Sequence, residues 1–197
     1  MKLLGSPASP YVRKVRGVII AAGLEGQVTM VTSNPHESPA ELLAANPLSR
    51  VPTLVTDDGL GLFDSPVICE YLDHIGQSAL FPPTGPARWR ALKQQAIGDG
   101  MMDAAVTRRG EQGRPVEAAR QAAMARQAAA VARSLDLLEA DVPADHLDIG
   151  TLAIACALGY LDFRFASEPW RAAHPKLAAW EARMAERPEL AQTRPPG

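Results

Sequence analysis

The sequence predicts an α/β domain followed by an all-α helical domain, and three observations carry that expectation. Short strand-like runs alternate with helical patterns over about the first 80 residues. Beyond them the apolar residues recur almost everywhere at helical spacing, and the one linker-like cluster, Pro82-Pro83-Thr84-Gly85-Pro86, divides the two regimes. Domains are therefore expected at 1–81 and 87–197, joined by a linker at 82–86. With 47% apolar and 21% charged residues in 197, the chain has the composition of a packed globular protein rather than a disordered or collagen-like one.

Residues 2–5 read as a strand. Val15, Val18, Ile19 and Ala22 recur at i, i+3, i+4, i+7 and mark an amphipathic helix over 10–22, closed by Gly23. A second strand is expected at 28–31 and a short helix at 39–45. Residues 53–56, the turn Asp57-Asp58-Gly59 and residues 60–63 form a predicted hairpin. Ile68, Tyr71, Leu72 and Ile75 then repeat the helical spacing, with Ser65 in the N-cap place and Pro66 as first helical residue. The order β-α-β-α-β-β-α is that of a thioredoxin-like domain.

In the second region Trp89, Leu92 and Ala96 share one face of a helix that Gly98, Gly100 and Gly110 are expected to weaken. Pro115 is expected to open the next helix, in which Val131, Leu135, Leu138 and Val142 form an apolar stripe. Asp148 can cap a helix from Ile149 to about Phe165, apolar nearly all round as far as Leu161 and hence expected at the centre of its domain. Leu177, Trp180 and Met184 define a last helix before the tail at 194–197.

Several function classes are disfavoured. Twenty Lys and Arg against 22 Asp and Glu leave a formal charge of −2, so no basic excess draws the chain to nucleic acid or an acidic membrane. No apolar run is long enough for a membrane span, and no signal-peptide core follows Met1, so a cytoplasmic location is expected. Cys69 and Cys156 are too far apart for a CxxC redox pair or a zinc site. His36, His74, His146 and His174 lack HxH or HExxH spacing, and no metal is expected.

Three loop segments carry candidate chemistry. Ser9-Pro10-Tyr11 joins the first strand to the first helix; Ser at N-cap and Pro at N1 are ordinary helix starters, yet a serine hydroxyl among free N–H groups can also donate to a thiolate. In Asn46-Pro47-Leu48-Ser49-Arg50-Val51-Pro52-Thr53, a cis proline at Val51-Pro52 would expose the Val51 backbone to an extended peptide; an ordinary loop reads equally well. Phe63-Asp64-Ser65-Pro66 sets an acid and a hydroxyl at a second helix start, a corner suited to an amino acid's carboxylate and ammonium or simply to capping.

Together and in this order, the three segments resemble the glutathione transferase superfamily. Residues 5–16 are similar to the active-site segment of its serine-type members, and Arg50-Val51-Pro52 with Asp64-Ser65 match its later glutathione-binding motifs. Residues 155–164 and Met101-Met102-Asp103-Ala104 look like a bacterial branch. The resemblance implies that Ser9 hydrogen-bonds the glutathione sulfur, that Val51 pairs with the cysteinyl part beside Pro52, that Asp64 and Ser65 hold the γ-glutamyl end, and that Arg50 lies near the cysteinyl-glycine half. It implies glutathione as co-substrate, a small electrophilic acceptor or peroxide, and a homodimer in which one subunit's first domain meets the other's second-domain helices. Tyr11, Met102, Val106 and Arg109 are the acceptor-site candidates.

The sequence departs from the family's pattern in three places. Position 64 is Asp where Glu is usual; His36 and Glu37 stand where related enzymes often place a lysine for the glycyl carboxylate; and Asp148-Ile149-Gly150-Thr151 exchanges the usual order of hydroxyl and acid in the capping box. Two alternatives accompany the transferase reading: a glutathione-dependent reductase, for which position 9 lacks the sulfur of a mixed disulfide, and a non-catalytic binding or stress protein on the same fold.

Overall fold

The computed structural model describes residues 1–196; Gly197, the last residue of the expected tail, lies outside the described residues. The chain adopts the expected architecture of a thioredoxin-like domain followed by helices. The first domain comprises β1 (Lys2–Gly5), α1 (Pro10–Ala21), β2 (Thr29–Thr32), a 3₁₀ turn (Pro35–Glu37), α2 (Ala40–Ala45), β3 (Thr53–Val55), β4 (Gly61–Leu62) and α3 (Ser65–Gly76). The sheet runs β2-β1-β3-β4, with β1 parallel to β2 and the other pairs antiparallel.

Local hydrogen bonds explain where the boundaries differ from expectation. Val28 is spent on the turn after α1, donating to the Leu24 carbonyl at 3.2 Å, so the ladder begins one residue later with Thr29 donating to Met1. Thr56 closes a loop onto Leu60 through backbone and side chain, leaving β4 only two residues. The N-cap of α3 is Asp64 rather than Ser65; Ser65 is the first helical residue and Pro66 the second, and the Ile68 N–H donates to the Asp64 carbonyl at 3.1 Å.

The second domain comprises α4 (Gly85–Glu111), α5 (Ala118–Ala140), α6 (Ile149–Arg164), α7 (Pro175–Ala185) and a short α8 (Pro188–Ala191) that the sequence reading did not anticipate. Helix α4 begins inside the expected linker and runs unbroken through all three glycines. The reason is contact: a Cβ on Gly98 would lie 2.6 Å from the Ala153 carbonyl carbon, so the missing side chain lets α4 and α6 approach closely and offsets the glycine's poor helix propensity. The face of α4 turned inward is Ala91, Gln95, Gly98, Met101, Met102 and Ala105. Trp89, 69% exposed, and Ala96 point outward instead.

Pro115 does not open α5. It lies in the connection at 112–117, and the first helical bond runs from Gln121 to Glu117. Val131, Leu135 and Leu138 are buried as expected, while Val142 follows the helix and is half-buried. Helix α6 is the centre of the domain, buried at every position of 149–158. Its exchanged capping box forms: the Thr151 N–H donates to Asp148 Oδ1 at 2.8 Å and the Asp148 N–H to Thr151 Oγ1 at 2.9 Å.

Charged side chains cross the seam between the domains. Lys14 of α1 is fully buried and reaches Asp99 of α4 at 2.5 Å. Arg13 lies against Gly159 of α6, in space a side chain there would fill, and its Nη2 donates to the Leu190 carbonyl at 3.3 Å. One turn on, Arg16 Nη2 donates to the Gln192 carbonyl at 3.2 Å. Among the described residues, no helix is long and apolar enough to cross a membrane.

Candidate functional site

Sheet register brings the three candidate segments to one edge. Leu4 pairs with Thr53, so the end of β1 and the start of β3 lie side by side; Leu54 pairs with Leu62, so the exit of β4 lies beside that same start. The loop to Ser9, the Arg50-Val51-Pro52 turn and Asp64-Ser65 therefore leave the sheet at a common edge, each next to a helix start or a bend in the chain.

Ser9 is the N-cap of α1, with extended backbone and Pro10 at N1. Its Oγ accepts from the Val12 N–H at 3.4 Å. A hydroxyl carries one donor and two acceptor sites, so this leaves the O–H proton uncommitted among the described residues. Tyr11 differs: its hydroxyl already donates to Asp103 Oδ1 at 2.5 Å. Burial first, and then that carboxylate, push the Tyr11 phenol above its ordinary range, so it stays protonated with its proton engaged.

The Val51–Pro52 peptide is cis. Asn46, a buried residue whose role the sequence reading missed, shapes this loop: its Nδ2 donates to the Arg50 carbonyl at 3.1 Å and to Thr53 Oγ1 at 3.0 Å, and its Oδ1 accepts from the Leu48 N–H. Neither the N–H nor the carbonyl of Val51 is bonded among the described residues, which leaves a donor and an acceptor for a ligand backbone. The Arg50 side chain is exposed. At the third segment Asp64 is exposed and makes no capping bond with its side chain, whereas Ser65 is buried at the first turn of α3.

Of the acceptor-site candidates, Met102 is corrected: it is fully buried in the α4 face that packs on α6 and belongs to the core, as the neighbouring Met101 and Ala105 do. Val106 is half-buried, and Arg109 is exposed, donating to Gln112 Oε1 at 2.9 Å. The sequence reading also missed the Lys14–Asp99 and Tyr11–Asp103 pairs, which tie the start of α1 to α4 directly behind Ser9. A lysine between Val12 and Val15, on the apolar face of α1, was the available signal for a buried partner.

With this geometry in view, residues 8–75 match the family model for the glutathione S-transferase N-terminal domain and residues 121–183 that for its C-terminal domain. The chain is also 35% identical to an uncharacterized GST-like protein, YibF of Escherichia coli K12, over all of this chain and 99% of that one. The chain belongs to the glutathione S-transferase family. Among solved structures, a glutathione transferase family member from Pseudomonas fluorescens Pf-5 with bound glutathione is 41% identical, superposes with a TM-score of 0.92 and covers 100% of this chain and 99% of that one. A structure from the same organism with bound S-(propanoic acid)-glutathione gives 41% identity and a TM-score of 0.88 over 100% of both chains.

Two partly open concavities lie away from the edge shared by the three segments, one lined by Arg16 and Glu25, the other around Pro169 and Trp170. Both cysteines are free and buried, and burial raises the Cys69 thiol to about 12 and the Cys156 thiol to about 11, so neither offers a thiolate at neutral pH. Among the described residues, no three His, Cys, Asp or Glu side chains are grouped to hold a metal ion.

Proposed function

We propose that the chain is a serine-type glutathione transferase, in which the Ser9 hydroxyl donates a hydrogen bond to the glutathione thiolate and the activated sulfur attacks an electrophilic carbon or a peroxide oxygen. One observation carries the reading: Ser9 Oγ accepts from the Val12 N–H and keeps its own proton free, at a helix start that shares an edge with the cis-proline turn and Asp64-Ser65. The γ-glutamyl end then meets Asp64 and Ser65, the cysteinyl backbone pairs with Val51 beside Pro52, and Arg50 faces the cysteinyl-glycine half. Glutathione in the Pseudomonas fluorescens relative supports this assignment.

A thiol with a pKa near 8.5 is about 1% ionised at pH 6.5. A hydroxyl bonded to an anion contributes about 1.5 to 3 kcal/mol and a helix N-terminus about 0.3 to 1 kcal/mol, enough to lower that pKa by about one to two units. Ser9 acts here as a donor, neither base nor covalent nucleophile. Residues 1–81 serve glutathione, and the region from 87 onward supplies the acceptor side, with Tyr11, Val106 and Arg109 around it.

The working unit is a cytoplasmic homodimer. Support comes from Val67 and Ile75 of α3 and Trp89 of α4, large apolar side chains that a lone subunit leaves exposed. Retention on immobilised glutathione, followed by a screen of electrophiles and hydroperoxides for glutathione consumption, tests the activity; light scattering tests the assembly. Passage through the glutathione resin without retention would overturn the reading, and a monomer at micromolar concentration would remove the dimer.

A further inference from the structure

Most guanidinium groups in the second domain are matched by carboxylates. Arg108 reaches Glu168 through both oxygens, and Arg171 bridges Asp162 and Glu181. Arg109 and Arg164 are not: among the described residues neither has a carboxylate within ion-pair distance. Arg164, at the last turn of α6, stacks its guanidinium 3.8 Å from the Phe163 ring centre, and its Nε is buried without a hydrogen-bond partner. The stacking fixes the plane of the group while leaving donors unused.

These two charges converge on one phenol. Arg108 of α4 lies 4.4 Å over the ring of Phe165, which follows α6, so the last turns of the two helices lie together and bring Arg109 to the end of α6 that carries Tyr160 and Arg164. Burial pushes the Tyr160 phenol up, and the two guanidiniums pull against it. The Tyr11 hydroxyl, two residues after Ser9, meets α4 at Asp103, on the same helix as Arg109 and N-terminal to it. Asp103 already accepts a hydrogen bond from the Tyr11 hydroxyl, and Asp99 is taken by Lys14. The acceptor side of the cleft thus carries unmatched positive charge with planar donors on a rigid aromatic floor.

We infer that this surface recognises acceptors bearing a carboxylate, with Arg109 and Arg164 as its specificity-determining residues. The inference rests on the transferase reading. In the reaction the thiolate sulfur bonds to the electrophilic carbon; the displaced electron pair leaves with a halide, or moves to the adjacent carbon, which takes a proton from solvent. The carboxylate is unchanged and serves only as a handle. A neutral acceptor gains nothing from the two guanidiniums, whereas a carboxylate matches their forked donors.

Calorimetry with glutathione conjugates tests this without turnover. The probes are S-carboxymethyl- and S-(4-carboxybutyl)glutathione, a short and a long reach, each against its neutral amide. The acid is expected to bind about tenfold or more tightly than the amide at one of the two lengths. That ratio should fall towards one in Arg109→Gln and in Arg164→Gln; Arg109 is exposed, so its variant carries the test if the other fails to fold. Equal binding of acid and amide at both lengths, or a ratio unmoved by the Arg109 substitution, overturns the inference while leaving the transferase reading intact. Failure of glutathione and every conjugate to bind overturns both.

Discussion

Replacing Ser9 by alanine separates a helix cap from a thiolate donor, because the structure gives the two roles different magnitudes. The Oγ to Val12 distance of 3.4 Å is long beside the usual 2.9 to 3.0 Å of an N–H···O bond, so the cap contributes near the low end of its range, about 0.5 kcal/mol. The first main-chain bond of α1, from Arg13 N–H to the Ser9 carbonyl at 3.0 Å, does not involve the side chain and survives. For a domain of this size the melting temperature should fall by only about 1 to 2 °C. Losing a hydroxyl that donates to an anion costs far more, about 1.5 to 3 kcal/mol, which is about one to two pH units in the pKa of bound glutathione. At pH 6.5 the turnover of bound complex should then drop by about 10- to 100-fold, and the loss should shrink as pH rises past the new pKa. Ultraviolet absorbance of the bound thiolate, titrated in both proteins, reads this directly. Superimposable titration curves would refute the donor role and leave Ser9 a weak cap.

Three further outcomes are expected. Asp64→Ala and Ser65→Ala should each weaken glutathione binding by about 10- to 100-fold in calorimetry while slowing the bound reaction less, since the proposed assignment has both grip the end remote from sulfur; unchanged affinity would move the γ-glutamyl site elsewhere. Cys69, at about 12, and Cys156, at about 11, lie above the ordinary thiol value of about 8.5, so the native chain holds protons that the unfolded chain releases, and stability present below that pH is lost as pH rises towards 11. Each thiol adds about 1.4 kcal/mol per pH unit to that decline. Denaturant melts at pH 8 and 10 should therefore show a steeper loss in the wild type than in a variant combining Cys69→Ala and Cys156→Ala; parallel losses would argue against the burial effect. Finally, Gly98→Ala should destabilise by about 1 to 3 kcal/mol by driving α4 off α6, whereas Gly110→Ala, which meets open space, should stabilise by up to about 1 kcal/mol. Equal responses in chemical denaturation would contradict the close approach at Gly98.

The elements legible in the sequence are those whose signal is local. Helix α1 carries its own start, stop and apolar stripe, and α6 announces its burial by lacking a polar face. Helix α4 was misread because its inward face holds Gln95 and Gly98, while its tryptophan points to solvent; only the surface of α6 explains that choice. Strand β4 is shorter than the expected 60–63 because a Thr56 side chain, not a pattern of residues, decides where the strand begins. At the candidate site, the Ser9 cap and the Val51–Pro52 turn were readable because capping and proline chemistry follow from nearest neighbours, whereas the cap of α3 proved to be Asp64 and not Ser65. Lys14 and Asp99, Tyr11 and Asp103 were not, since each pair joins residues 85 and 92 positions apart across a domain boundary.

The ties from Arg13 and Arg16 to the carbonyls of Leu190 and Gln192 span 177 and 176 positions and make α1 the meeting point of the earliest and the latest parts of the fold. On a ribosome, the first helix emerges long before the turn that will cradle its guanidiniums, and it must wait with two charges unanchored while the second domain is synthesised. A thioredoxin-like sheet completed early would thus still carry an α1 whose two guanidiniums gain these carbonyl partners only when α8 and Gln192 dock.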